Sequence, residues 1–293
     1  MTNTSYQGVA IGPRFTIGIP VYNGEHTLKE TLDCCAKLPT DLVRVVISDN
    51  GSTDGTYTMV QSFAARHHNV SVYRQERNVG AASNFKYLLD ICNTEYFMWL
   101  AADDVIADSL SLAEVERLFE EYPKAIALSP FAMVGEVGAP VPDRGNCSLV
   151  GSRACNTLNF LMRPGVNSRF YSIYRTEHLR PIFSSIIGDG NVNYYGSDIV
   201  FSSAVLRKYQ WPMAPSFVLL RKPGLSSDGW KLRRALSENL LGALFPSVNF
   251  IHQIVGMSPL LEKLPVLLVG SLLYLRYLIG PIRHRLSQYL RRL

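Results

Sequence analysis

Two rhythms of apolar and polar positions run through the first hundred residues. Apolar-rich runs at 15–20 (FTIGIP), 42–48 (LVRVVIS), 70–73 (VSVY) and 96–100 (YFMWL) read as buried strands. Between them apolar residues return at helical spacing. Leu28, Leu32, Cys35 and Leu38 predict a helix over 26–38, the stretch 56–66 predicts another, and Phe85, Leu88, Leu89 and Cys92 predict a third. Pro20 is expected to stop the first strand, because proline cannot continue a ladder. Regular alternation of strand and helix predicts an α/β fold, a mostly parallel central sheet flanked by helices.

Beyond residue 104 the pattern loosens. It predicts an amphipathic helix over 109–121, a strand at 125–129, a hairpin or loop over 135–153 and a short helix at 154–162. Alternation over 168–174 predicts a strand, 186–197 reads as a Gly/Asn/Tyr-rich loop, a helix opens at Asp198, and 217–220 is an apolar strand. These elements divide the chain into a catalytic domain over 1–228, with halves 14–104 and 105–228, and an extension over 229–293.

Composition narrows the class. Hydrophobic residues make up 47% and charged residues 18%, which excludes a disordered chain. The five cysteines form no C-x-x-C pair, and MTNTSYQGVAIGPR has no charged-then-apolar leader pattern, so a reducing, cytoplasmic setting is expected. Charge is uneven. Residues 1–200 hold 16 basic and 21 acidic side chains, whereas residues 201–293 hold 13 and 3. Within the extension, 264–282 is nearly all apolar but contains Arg276, and Arg283, His284, Arg285, Arg291 and Arg292 follow it. A spanning helix wants about 20 apolar residues without charge. This pattern better suits helices lying on an anionic cytoplasmic membrane surface, a peripheral anchor; packing on the catalytic domain or a partner subunit is the alternative. A nucleic-acid partner is excluded, because the segment is too apolar and carries no recognition motif.

Candidate chemistry lies at the strand ends. Pro20/Tyr22/Asn23, Asp49/Asn50 and Asp103/Asp104 each follow a strand, and parallel topology brings such ends to one crevice. Two adjacent acids at that edge suit a hard divalent cation, which takes one or two carboxylates plus substrate phosphates.

The segments Ile19-Pro20-Val21-Tyr22-Asn23, Asp49-Asn50-Gly51-Ser52-Thr53-Asp54-Gly55-Thr56, Arg77-Asn78-Val79-Gly80 with Asn84, and Leu100-Ala101-Ala102-Asp103-Asp104 carry a resemblance. In combination they resemble the nucleotide-sugar half of inverting family-2 glycosyltransferases of the GT-A fold, of the bacterial surface-polysaccharide type. The likeness covers 14–130 well, 165–210 loosely and the extension hardly at all. It implies a nucleotide-diphosphate sugar donor, Mg²⁺ or Mn²⁺, and a saccharide or lipid-linked acceptor.

Residue chemistry fills in the roles. Asp49 would accept from a base N–H, which favours UDP or dTDP, and Tyr22 would stack on the base. Asn23 and Glu25 would hold ribose or orient Asp49. Pro20, Asn50 and Asn84 complete the nucleotide set, and Arg77 would pair with Asp49 or with diphosphate. Asp54 reads as a helix cap. Asp103 is the expected metal ligand, with Asp104 and Ala102 beside the donor sugar. The family often has an acid where this chain has Ala101. Asp198 is the expected base, with Asp189 as its competitor. Arg221 and Lys222 would open a cationic loop over the diphosphate. Two rivals fit less well: a sugar-nucleotide pyrophosphorylase needs a basic, Gly-rich loop after strand one that Val21-Tyr22-Asn23-Gly24-Glu25 lacks, and a silent nucleotide-binding scaffold draws support only from Ala101.

Overall fold

The computed structural model describes residues 12–107, 111–135, 138–162, 167–187 and 197–222. The extension 229–293, the loop carrying Asp189, and Pro223–Asp228 lie outside them. Among the described residues no helix is long and apolar enough to cross a membrane.

Strands β1 (Phe15–Val21), β2 (Val43–Asp49), β3 (Val70–Arg74) and β4 (Tyr96–Trp99) alternate with helices α1 (Leu28–Cys35), α2 (Thr56–Ala64) and α3 (Ala81–Asp90). They lie in the order β3-β2-β1-β4 and are parallel throughout. The second half contributes β5 (Val105–Ile106), α4 (Leu112–Glu121), β6 (Ala127–Val134), β7 (Val141–Pro142), α5 (Arg153–Met162), a 3-10 turn over Ser168–Tyr171, β8 (Ile173–Arg175), α6 (Thr176–Ile187), α7 (Ser197–Lys208) and β9 (Met213–Arg221). Sheet order continues β4-β8-β6-β9-β5, with β8 antiparallel to both its neighbours, β6 parallel to β9, and β5 antiparallel to β9.

The sheet is covered on both faces, and strand alternation divides the core accordingly. On β4, Phe97 and Trp99 join a cluster with Leu88, Phe170, Phe183 and Phe201. Met98 and Leu100 join the opposite cluster with Ile17, Ile19, Val45 and Leu28. Gly18 lies under Phe97, and a Cβ there would come within 2.9 Å of its ring. Trp99 donates its indole N–H to the Phe85 carbonyl at 3.0 Å and stacks on Phe170 at 5.1 Å. That stack fixes the 3-10 turn beside the end of β4.

Two expectations are corrected, and one helix is found that the pattern does not predict. Pro20 does not end β1, which runs one residue further and pairs Val21 with Asp49. The Gly18 carbonyl accepts from Leu100 and the Val21 carbonyl accepts from Asn50, so even-numbered residues of β1 face β4. β4 pairs with β1 only as far as Gly18, so the N–H that Pro20 lacks falls just past the end of that pairing, and β1 continues on its β2 side. The strand predicted over 168–174 is instead a 3-10 turn followed by the short β8. α6 has no counterpart among the predicted elements, and it carries Pro181 in its interior.

Candidate active site

The loops after β1 and β2 are joined to each other by hydrogen bonds. Asn23 adopts a left-handed backbone (φ 50°). Its N–H donates to Ser52 Oγ at 2.9 Å and its Oδ1 accepts from Thr53 N at 2.9 Å. Gly24 N donates to Thr56 Oγ1 at 2.8 Å, and Glu25 Oε2 accepts from Gly55 N at 3.0 Å. Asp54 accepts from Thr56 N at the start of α2 and from Glu25 N, in keeping with a capping role. Burial works to raise its pKa, yet the hydrogen bonds from Thr56 and Glu25 leave it depressed. Tyr22 stands clear of this network, 46% exposed.

Asp49 is fully buried and accepts from Ser52 N at 3.2 Å. Its cationic partner is Arg74, with Nε 3.3 Å from Oδ2, and not the expected Arg77. Arg74 is itself fixed by the Ser52 carbonyl at 3.0 Å and by the Tyr57 ring at 4.2 Å. Arg77 is exposed, and its backbone lies against Gly51. Gly51 has φ +70°, and a Cβ there would sit 2.8 Å from the Arg77 carbonyl carbon, so this position admits only glycine.

Asn50 and Asn84 spend their side chains on the fold. Asn50 donates to Asn78 Oδ1 at 3.1 Å and accepts from Val79 N at 2.9 Å, which latches the 77–80 loop to β2. Asn84 is buried, accepting from Ser48 Oγ at 2.6 Å and donating to the Ser48 carbonyl at 3.0 Å. Both frame the crevice from behind, holding the elements that carry its loops.

The acidic end of β4 forms the other half of the site. Asp104 is buried, and its Oδ2 lies 3.0 Å from Arg221 Nε. Arg221, partly buried, packs over the Tyr171 ring at 4.5 Å. Arg221 was expected to open a loop over the diphosphate; it is instead the last residue of β9, turned inward onto Asp104. Lys222 pairs with Glu30 of α1 at 2.7 Å. Burial pushes the Asp104 carboxyl up to about 6, Arg221 pulls it back, and the charge of Asp103 adds to the rise. Asp103 is half-buried; among the described residues its carboxylate has no hydrogen bond and no ion-pair partner.

Asp198 comes from the first turn of α7, and its Oδ2 accepts from Asn167 Nδ2 at 2.9 Å. Burial raises the pKa of the Tyr171 hydroxyl; Arg221 acts against this, and the charges of Asp104, Asp103 and Asp198 all add to it. Tyr171 thus feels the charge of all three acids. Neither Tyr171 nor Asn167 carries a motif that sequence reading could use.

Removing Arg221 is expected to strand a buried carboxylate. Arg221→Met should cost about 3–5 kcal/mol at neutral pH, read from urea unfolding. The Asp104 pKa of about 6 lies above an unfolded value of about 4, so its contribution is full below the lower value and is lost as pH rises through the upper one. Loss of the guanidinium deepens that decline, so the penalty should shrink toward pH 5. A pH-independent cost below about 1 kcal/mol would show that the pair does not hold the loop.

The sequence model of the family described as "Glycosyl transferase family 2" matches residues 16–183, more than half of the chain. The chain belongs to glycosyl transferase family 2. The abequosyltransferase RfbV of Salmonella typhimurium is 33% identical over 101 residues, 33% of this chain and 30% of that one. An uncharacterised Mycobacterium tuberculosis protein is 32% identical over 122 residues, 40% of this chain and 35% of that one. The chain thus spans about a third of the length of these relatives. S. aureus TarS in complex with UDP superposes with a TM-score of 0.57 at 18% identity, over 90% of this chain and 71% of that one. A mannosyltransferase of Pyrobaculum calidifontis, in complex with GDP-Man and Mn²⁺, gives 0.55 at 17% identity, over 91% and 71%. The fold is that of these GT-A transferases.

The donor set can be tested against a metal. No group of three or more His, Cys, Asp or Glu side chains gathers among the described residues, which rules out an all-protein cage there. With Asp104 engaged by Arg221, the family-2 site offers one unpaired carboxylate, Asp103. That fits Mg²⁺ or Mn²⁺, which complete their shells with phosphate oxygens and water.

Proposed function

We propose that this family-2 protein is an inverting glycosyltransferase. It moves a sugar from a nucleotide-diphosphate donor to a hydroxyl of a saccharide acceptor, lipid-linked, in cell-surface polysaccharide assembly. It works on the cytoplasmic face of the membrane, held there through residues 229–293. The observation that carries the reading is the pairing of two acids on separate elements. Among the described residues Asp103 after β4 has no hydrogen-bond or ion-pair partner and Asp198 on α7 is held at one oxygen, both within electrostatic reach of Tyr171.

The donor lies across the C-terminal ends of β1, β2 and β4, where open α/β sheets bind ligands. Tyr22 offers an exposed ring for the base. Asp49 reads the base only if Arg74 or the 50–52 turn gives way, since it is closed from solvent. Asp103 holds the divalent ion, which when bound supplies charge neutralisation on the diphosphate. Asp198 takes the proton of the acceptor hydroxyl as that oxygen bonds to the anomeric carbon. The bond from that carbon to the phosphate oxygen breaks on the opposite face, and the nucleoside diphosphate leaves with the electron pair.

A thermal-shift screen of UDP, dTDP and GDP with and without Mn²⁺ tests the donor half. A ligand at a hundredfold excess over its Kd stabilises by about 2.7 kcal/mol, a rise of several degrees for a chain of this size. UDP or dTDP with Mn²⁺ should give that rise and either component alone much less. A flat response to all three nucleotides would reject the reading.

A further inference from the structure

Among the described residues only Asn23 and Asn167 combine a side chain with a left-handed backbone. Asn23 belongs to the nucleotide loops. Asn167 sits on the other side of the crevice, at φ 50° and ψ 45°, immediately before the 3-10 turn that carries Tyr171. Such a conformation costs a non-glycine residue of order 1 kcal/mol and persists where the surroundings fix it. Here the surroundings are specific. Asn167 is 3% exposed, its Nδ2 donates to Asp198 Oδ2 at 2.9 Å, and its Oδ1 accepts from Ser202 Oγ at 3.3 Å, one turn further along α7. An ionised carboxylate only accepts, so the NH₂ group of Asn167 meets Asp198 and the amide oxygen is left to the Ser202 hydroxyl.

Asp198 shares the electrostatic surroundings of Tyr171 on the 3-10 turn, on whose hydroxyl Asp103 and Asp104 after β4 and Arg221 at the end of β9 also act. None of them makes a hydrogen bond or ion pair with Asp198; Asn167 is its one partner among the described residues. A cation in that place would orient the carboxylate but reduce its basicity, whereas a neutral amide orients it without opposing charge.

We infer that Asn167 is the positioning residue for the catalytic base: it holds Oδ2 of Asp198 and leaves Oδ1 to receive the proton of the acceptor hydroxyl. The inference rests on the reading of Asp198 as that base. It explains why a left-handed asparagine occupies this turn, since a glycine would satisfy the backbone but supply no donor.

Three variants test it, with transfer to water as the assay: hydrolysis of UDP-GlcNAc with Mn²⁺, followed as UDP release. Asn167→Gly keeps the backbone conformation and removes the amide. It should lower kcat about 10- to 100-fold with calorimetric UDP affinity unchanged, the scale expected when a reacting group loses its orientation. Asn167→Asp is isosteric. While its carboxyl is protonated it donates as the amide did; once both acids are ionised they repel. Its kcat profile should therefore approach wild type on the acid side and fall to the Asn167→Gly level as pH rises, a limb absent from both other proteins. A ¹³C titration of the Asp198 carboxyl, which needs no turnover, should show two coupled steps in Asn167→Asp and one in wild type.

Asp198→Asn separates the two levels of the argument. If it hydrolyses donor normally, the assignment of the base falls and the inference falls with it. If it is inactive while Asn167→Gly stays within twofold of wild type, or the ¹³C titration in Asn167→Asp shows no coupling, the inference alone is overturned.

Discussion

Asp103→Asn is expected to abolish Mn²⁺-dependent donor binding while leaving the fold intact. The two halves of that result have separate causes. Asp103 is half-buried and makes no hydrogen bond or ion pair among the described residues, so an isosteric amide should change stability by no more than about 0.5 kcal/mol. Binding is another matter, because nothing nearby can take over. Asp104 is committed to Arg221, and position 101 is an alanine. A cation held by one carboxylate and the diphosphate loses its only protein charge with this substitution. An ion bound at Asp103 would supply several kcal/mol of charge neutralisation, so on that reading transfer should fall at least about 10³-fold. Calorimetry of UDP with and without Mn²⁺ reads the binding half directly. Identical Mn²⁺ enhancement in wild type and variant would remove Asp103 from the metal site.

The nucleotide half of this fold was legible because its physics is local. Strands buried on both faces must be apolar throughout, and helices laid over them must show one apolar stripe, so β1 to β4 and α1 to α3 announce themselves. Even the error at Pro20 was an error of neighbours: the rule against proline in a ladder holds only where a partner strand is present. The second half is set by tertiary contacts that no spacing encodes. Residues 168–171 alternate like a strand, but Arg169 is buried among the Ser129 hydroxyl and the carbonyls of Gly145 and Cys147, and Phe170 is stacked under Trp99. Those contacts impose a turn.

The site divides the same way. Asp103 and Asp104 follow β4 and Asp198 stands in the first turn of α7, the positions their place in the sequence implied. Of the two partners expected for Arg77, Asp49 is taken by Arg74, and a signal for that exists in the sequence. Arg74 is the last residue of β3 and stands in direct register with Asp49, and a parallel pairing of the two predicted strands would have placed it there. Asn50 and Asn84 fit a nucleotide motif by sequence, yet their amides hold β2 to the 77–80 loop and to α3. A motif can recur because it builds the crevice as well as because it touches the ligand.

Asp198→Asn is expected to separate binding from chemistry. Asparagine at 198 can still accept from Asn167 through its oxygen, so the turn that carries Tyr171 should keep its place and UDP should bind as tightly as before. What the amide cannot do is take a proton. Loss of a general base costs about 10²- to 10⁴-fold, so kcat should fall in that range at every acceptor concentration. The same comparison discriminates an enzyme from a silent nucleotide-binding homologue, for which no substitution at 198 would alter turnover because there would be none. Near-normal transfer by the variant would move the base to another acid of the acceptor side. Asp189, which lies outside the described residues and precedes α7 in the sequence, is then the first to replace.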